Sequence, residues 1–168
     1  MKIKPNIEDK KLTKKLVGLN EELKKKRIDV IEEKPLTLFL NDQEIVTMMT
    51  INDYPEYLAI GYLLNQNMIT LKTRIVSIDY DDELSLIVVR TVNKTDYQKK
   101  LKKKILISGC AQGTLFGDIM ESFNKIKFNH KLKLKKSWIY ELSKKINLTP
   151  SLYLKAGAIH GCVLCERN

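Results

Sequence analysis

Cysteine thiols, with histidine beside them, are the groups in this 168-residue chain best suited to covalent or metal chemistry, and it holds three cysteines and two histidines. Cys110 stands in Ser108-Gly109-Cys110-Ala111-Gln112-Gly113. Its small neighbours leave a thiol accessible, and the nearby glycines permit backbone conformations in which amide groups point at sulfur. A nucleophilic or persulfide-carrying role fits such a loop. Lys102, Lys103 and Lys104 lie just upstream and would favour the thiolate if the chain folds back. The competing reading is a small, inert, buried thiol, because free cysteine is among the most buried residue types.

Cys162 and Cys165 form a C-x-x-C with His160 two residues upstream. These three could ligate a structural zinc, with Cys110 as a fourth ligand. A lone C-x-x-C in an apolar run is as often core, and the second pair of a zinc ribbon is missing. The H-x-E element of zinc-dependent nucleobase deaminases is also absent, since Gly161 and Cys162 follow His160. No phosphate-binding G-x-x-x-x-G-K-[ST], dinucleotide-binding G-x-G-x-x-G or nucleophile-elbow G-x-S-x-G occurs. His130, in a lysine-rich stretch, reads as solvated, and Asp81 with Asp82 as turn formers.

The elements that must position these residues fall into three segments. Residues 7 to 27 carry Leu12, Leu16, Leu19 and Leu23 at helical spacing among lysines and glutamates, which predicts an amphipathic helical extension over residues 1–30. From residue 31 the pattern turns to strands. Leu36 to Leu40, the turn Asn41-Asp42-Gln43 and Ile45 to Ile51 predict a hairpin. A largely buried helix follows, with Asp53 as its cap and Glu56 three residues on. Ile75 to Tyr80 and Leu84 to Val92 predict a second antiparallel pair turning at Asp81-Asp82-Glu83. Residues 31–95 thus read as one α+β unit, and the lysine-rich stretch 93–104 as a linker or exposed arm.

Residues 96–168 read as the cysteine-loop domain. Ile105-Leu106-Ile107 predicts a short strand ending in the Cys110 loop, and Ser137 a helix cap leading through about Asn147. Trp138, Ile139, Leu142 and Ile146 share one face of that helix. Tyr153 to Cys165 reads as a chain entering a buried strand or helix. Only Glu166, Arg167 and Asn168 follow this core-like run, so the domain is expected to be incomplete.

Three blocks then fit together. "EEKPLTLFLNDQEIVTMMTINDYPEYLAIGYLLNQNMI", "SGCAQG" and "AGAIHGC" resemble, in order, the opening strand-pair-and-helix block, the cysteine loop and the glycine-and-histidine segment of the formate dehydrogenase accessory sulfurtransferases. The resemblance implies a sulfurtransferase of the carrier type. It would take sulfur from a cysteine desulfurase as a persulfide on Cys110 and pass it to the molybdenum or tungsten bis-pterin guanine dinucleotide cofactor of formate dehydrogenase. That cofactor would be a bound acceptor rather than a permanent tenant, with Gly109 and His160 helping to hold it. The resemblance further implies a homodimer and an α+β fold, in which a small N-terminal α+β roll is followed by a three-layer α/β/α domain of deaminase-like topology, incomplete here. Two departures stand out: Gly113 occupies the place of a second loop cysteine, and the family continues beyond its histidine segment.

Composition bounds the alternatives. The net charge of +10 rests on 26 lysines against four arginines, and lysine is a hydrated point charge rather than a planar fork for base edges. Few aromatics lie among the lysines, which disfavours base stacking. No apolar run is long enough to span a bilayer, and no export signal opens the chain, so a soluble cytoplasmic protein without membrane or nucleic-acid partners is expected. A zinc-stabilised basic nucleic-acid-binding module is the runner-up, and a degenerate paralogue that has lost sulfur transfer is a third reading.

Overall fold

The computed structural model describes residues 6–92, 104–106, 114–116 and 133–165. The chain divides into two compact units, one of Met1–Glu32 with Phe128–Asn168 and one of Glu33–Lys127.

The second unit is built on a four-stranded sheet. Strands β3 (Lys34–Leu40) and β4 (Gln43–Thr50) form the expected hairpin, and β5 (Ile75–Asp81) and β6 (Leu86–Thr91) form the other antiparallel pair. The spatial order is β4-β3-β6-β5, with β3 and β6 parallel at the centre. Period-two alternation explains the packing of β3: Leu36, Leu38 and Leu40 are fully buried while Thr37 and Phe39 between them are half-buried. Pro35 lacks a backbone donor and stands before Thr37, where pairing with β6 begins.

Helix α1 (Pro55–Asn65) covers this sheet, touching β5 and β6. Ala59 and Leu63 are fully buried and pack in one cluster with Ile45, Val46, Met68, Ile69, Ile87 and Val89. Leu58, Ile60, Tyr62 and Leu64 flank that cluster, so the helix is apolar on most sides, as its sequence predicts. Its start differs from expectation. Tyr54, at φ 53°, holds the N-cap place instead of Asp53, and its side chain makes no capping bond. Pro55 at the first helical position explains the shift, because its fixed φ is already helical and its missing N–H is one the helix does not need.

The first unit corrects the sequence reading. Residues 13–31 form an antiparallel hairpin, β1 (Thr13–Leu19) with β2 (Lys25–Ile31), and not an amphipathic helix. Asn20 decides the reversal: its Oδ1 accepts from Glu22 N–H at 3.1 Å and Lys24 N–H at 2.8 Å, while Leu23 takes φ 60°. The leucines that suggested a helical stripe do not share a buried face. Leu12 is buried, but Leu16, Leu19 and Leu23 are exposed.

Helix α2 (Lys136–Leu148) occurs where predicted, with Lys135 in the N-cap place rather than Ser137 and with no buried residue. Its apolar face is open, and Ile139, Leu142 and Ile146 are exposed. Helix α3 (Leu152–Ala156) lies against β2. Ser151 caps it by accepting from Leu154 N–H at 3.3 Å, and Lys155 Nζ donates to Ile7 O at 2.9 Å. Gly157 at φ 65° and Ala158 at φ 49° then turn the chain out of the helix. The expected buried continuation through Cys165 is not formed: residues 158–165 have no regular structure, and Val163 and Leu164 between the two cysteines are 59% and 93% exposed.

The described residues therefore make an α+β protein. The three-layer part of the expectation falls largely on residues outside the described ones.

Candidate functional site

The strand predicted ahead of the Cys110 loop is present as β7 (Lys104–Leu106), and it pairs antiparallel with β8 (Thr114–Phe116). Leu106 faces Thr114 and Lys104 faces Phe116 in this register. Residues 107–113 are thus the connection between two paired strands, whose ends lie about 5 Å apart as antiparallel neighbours do. The apolar pair Ile105 and Leu106 accounts for the strand. Gly109 and Cys110 belong to that connection and lie outside the described residues, as do Lys102 and Lys103.

The other sequence-predicted residues belong to the exposed segment after α3. His160, Cys162 and Cys165 all face solvent, and both cysteines are free thiols. Among the described residues no three His, Cys, Asp or Glu side chains converge on a point where a metal ion could sit. Among the described residues the arrangement therefore presents two exposed thiols on a segment without regular secondary structure rather than a preformed ligand cage.

On the second unit, Asn41, Asp42, Val76, Arg90, Thr91 and Val92 line an open depression of about 240 Å³. Asn41, at φ 55°, joins the β3–β4 turn to the end of β6: Thr91 N–H donates to its Oδ1 at 2.8 Å, and its Nδ2 donates to Thr91 Oγ1 at 3.2 Å. Arg90 is held across the strands by an ion pair with Asp79. Sequence reasoning assigned no role to this turn. The Asn-Asp pair signalled its reversal, but a side-chain bond spanning 50 residues has no local signature.

Electrostatic perturbation is concentrated on β5. Tyr80 donates to Asp82 Oδ1 at 2.7 Å, and partial burial, then that bond and the carboxylates of Asp82, Glu56 and Asp81, push its pKa up to about 12. Tyr62 on α1 is raised by burial alone.

The FdhD/NarQ family model matches residues 31–168, a span that takes in the four-stranded sheet, α1, the β7–β8 connection with Cys110, and the His160 segment. The chain belongs to the FdhD/NarQ family. Among curated relatives, the sulfur carrier protein FdhD of Bacillus pumilus is 23% identical over 88% of this chain and 62% of its own length. Those of Listeria monocytogenes and Bacillus subtilis are each 26% identical, over 82% and 86% of this chain and 54% and 56% of their own. The chain spans about half to three-fifths of the length of the curated relatives it matches. A crystal structure from Desulfotalea psychrophila, assigned as a formate dehydrogenase accessory protein, superposes with a TM-score of 0.40 at 22% identity, over 54% of this chain and 38% of that one.

Within this FdhD/NarQ chain the N-terminal hairpin, residues 13–31, lies almost wholly outside the family match. Among the described residues, no helix is long and apolar enough to cross a membrane.

Proposed function

We propose that this chain is a sulfur carrier that accepts sulfur from a cysteine desulfurase as a persulfide on Cys110. It then passes that sulfur to the molybdenum or tungsten bis-pterin guanine dinucleotide cofactor before the cofactor enters formate dehydrogenase. The observation that carries this reading is membership of the FdhD/NarQ family across residues 31–168, with Cys110 inside the match. Relatives named sulfur carrier protein FdhD support it.

Loading is a thiol–persulfide exchange. The Cys110 thiolate attacks the outer sulfur of the desulfurase persulfide, a new S–S bond forms at Cys110, and the desulfurase cysteine leaves as thiolate. A connection held at both ends by paired strands suits this task, because the carrier must offer one sulfur to two large partners in turn. Gly109 supplies backbone freedom beside the sulfur, and His160, exposed on its own segment, offers a polar contact for the pterin acceptor. In this reading the protein is a cytoplasmic homodimeric sulfurtransferase that keeps no cofactor of its own.

Expression in a bacterial host whose own sulfur carrier has been deleted tests the whole reading. The chain is expected to restore formate dehydrogenase activity and its Cys110→Ala variant is not. Equal activity from the two, or none from either with both expressed, contradicts it.

A further inference from the structure

Cys162 and Cys165 have no part in the loading step, yet the structure presents both as free thiols on one exposed segment. Among the described residues, no backbone hydrogen bond ties residues 158–165 to any element, and a side chain built at Gly161 would meet open space. A four-residue turn brings its first and last Cα atoms within about 7 Å, which is the upper end of the span a disulfide bridges. Closing Cys162 on Cys165 therefore needs only a local turn of Cys162-Val163-Leu164-Cys165. It breaks no strand or helix pairing and displaces no buried side chain, since Val163 and Leu164 are already in solvent.

From this geometry we infer that Cys162 and Cys165 form a reversible dithiol site that reduces sulfane sulfur to sulfide. The inference rests on the sulfur-carrier reading for its natural donor, a protein persulfide. A persulfide's outer sulfur must gain two electrons to leave as sulfide, and a pair of vicinal thiols can supply them. First, the Cys162 thiolate attacks the outer sulfur of a donor R–S–SH; the donor S–S bond breaks, R leaves as thiolate, and Cys162–S–SH forms. Second, the Cys165 thiolate attacks Cys162 Sγ, the Cys162–Cys165 disulfide forms, and HS⁻ departs. Two thiols are oxidised and one sulfane sulfur is reduced. A dithiol reductant of the thioredoxin class then returns the disulfide to thiols.

The test uses the Cys110→Ala chain, which keeps only the two thiols in question, so it is independent of whether Cys110 accepts sulfur. The probe is inorganic polysulfide under anaerobic conditions, read by sulfide release and by peptide mass. The Cys110→Ala protein is expected to release sulfide while the 162–165 peptide loses two hydrogen atoms. With Cys165→Ser added, sulfur stays on Cys162 as a persulfide and release slows about tenfold or more. Both thiols are exposed, so serine at either position leaves the packing untouched. Sulfide release unchanged by Cys165→Ser overturns the inference, and so does a disulfide found only between copies of the chain. Failure of Cys110 to load from a desulfurase, with this result intact, would overturn the carrier reading alone.

Discussion

Asn41 shows how one side chain serves as both turn former and clasp. Its left-handed φ of 55° is one that asparagine and glycine tolerate, and its amide bonds twice to Thr91. Asn41→Gly keeps the conformation and loses the bonds, at about 1–2 kcal/mol, whereas Asn41→Ala adds about 1 kcal/mol of backbone strain. Urea unfolding should rank the wild type above the glycine variant and the glycine variant above alanine. An alanine variant as stable as glycine would show that the turn carries no strain. Tyr80 makes a second claim at this scale. Its pKa of about 12 exceeds the ordinary 10.0, so the folded chain holds the phenolic proton to higher pH than the unfolded chain does. The corresponding stability is fully present below pH 10.0 and is lost as pH rises through about 12. Ultraviolet titration should show a late-ionising phenol signal that Tyr80→Phe reduces, with Tyr62 contributing the remainder. A late signal that the substitution leaves unchanged would place the perturbation elsewhere.

At the scale of elements, the strands of the central sheet were legible because each has a complete local signal. Leu36, Leu38 and Leu40 alternate, Asn41-Asp42 turns, and the β-branched run through Val89 closes the second pair. The N-terminal hairpin was misread because Leu12, Leu16, Leu19 and Leu23 satisfy a helical period by count alone. The competing signal was in the sequence too: Ile28, Val30 and Ile31 are β-branched, and Asn20 is a turn former between the two halves. Burial of the last apolar run was misjudged for another reason. An apolar stretch predicts a core only if other elements cover it, and periodicity does not report what covers what. At the candidate site, the strand before the Cys110 connection was readable, whereas its partner β8, three residues long, is too short to show an alternation. One element-level prediction follows from Gln66 at the C-terminal end of α1. It is 8% exposed, and its Oε1 is buried without a hydrogen-bond partner. Gln66→Met fills similar volume and removes that acceptor, so it should stabilise the chain by about 1 kcal/mol in urea unfolding. A comparable loss would mean that the amide is satisfied in solution.

At the scale of the whole molecule, the net charge of +10 sets how the chain meets polyanions. Lysines dominate that charge and few aromatics accompany them, so any affinity for single or double strands should be electrostatic and indifferent to sequence. We expect dissociation constants no tighter than about 10⁻⁶ M at physiological salt, weakening steeply as salt rises. Tight, salt-resistant binding in a fluorescence anisotropy titration would favour a nucleic-acid-binding module instead. The family match, by contrast, spans the sheet, α1 and the residues around Cys110, and the sulfur-carrier reading proposed above rests on it. The most direct measurement is therefore the fate of sulfur itself. The purified chain is incubated with an active cysteine desulfurase and cysteine, and intact mass with peptide mapping locates any added atom. One sulfur on the Cys110 peptide, absent from Cys110→Ala, is the predicted result. A Cys110 peptide that stays unmodified while the desulfurase turns over would contradict the account.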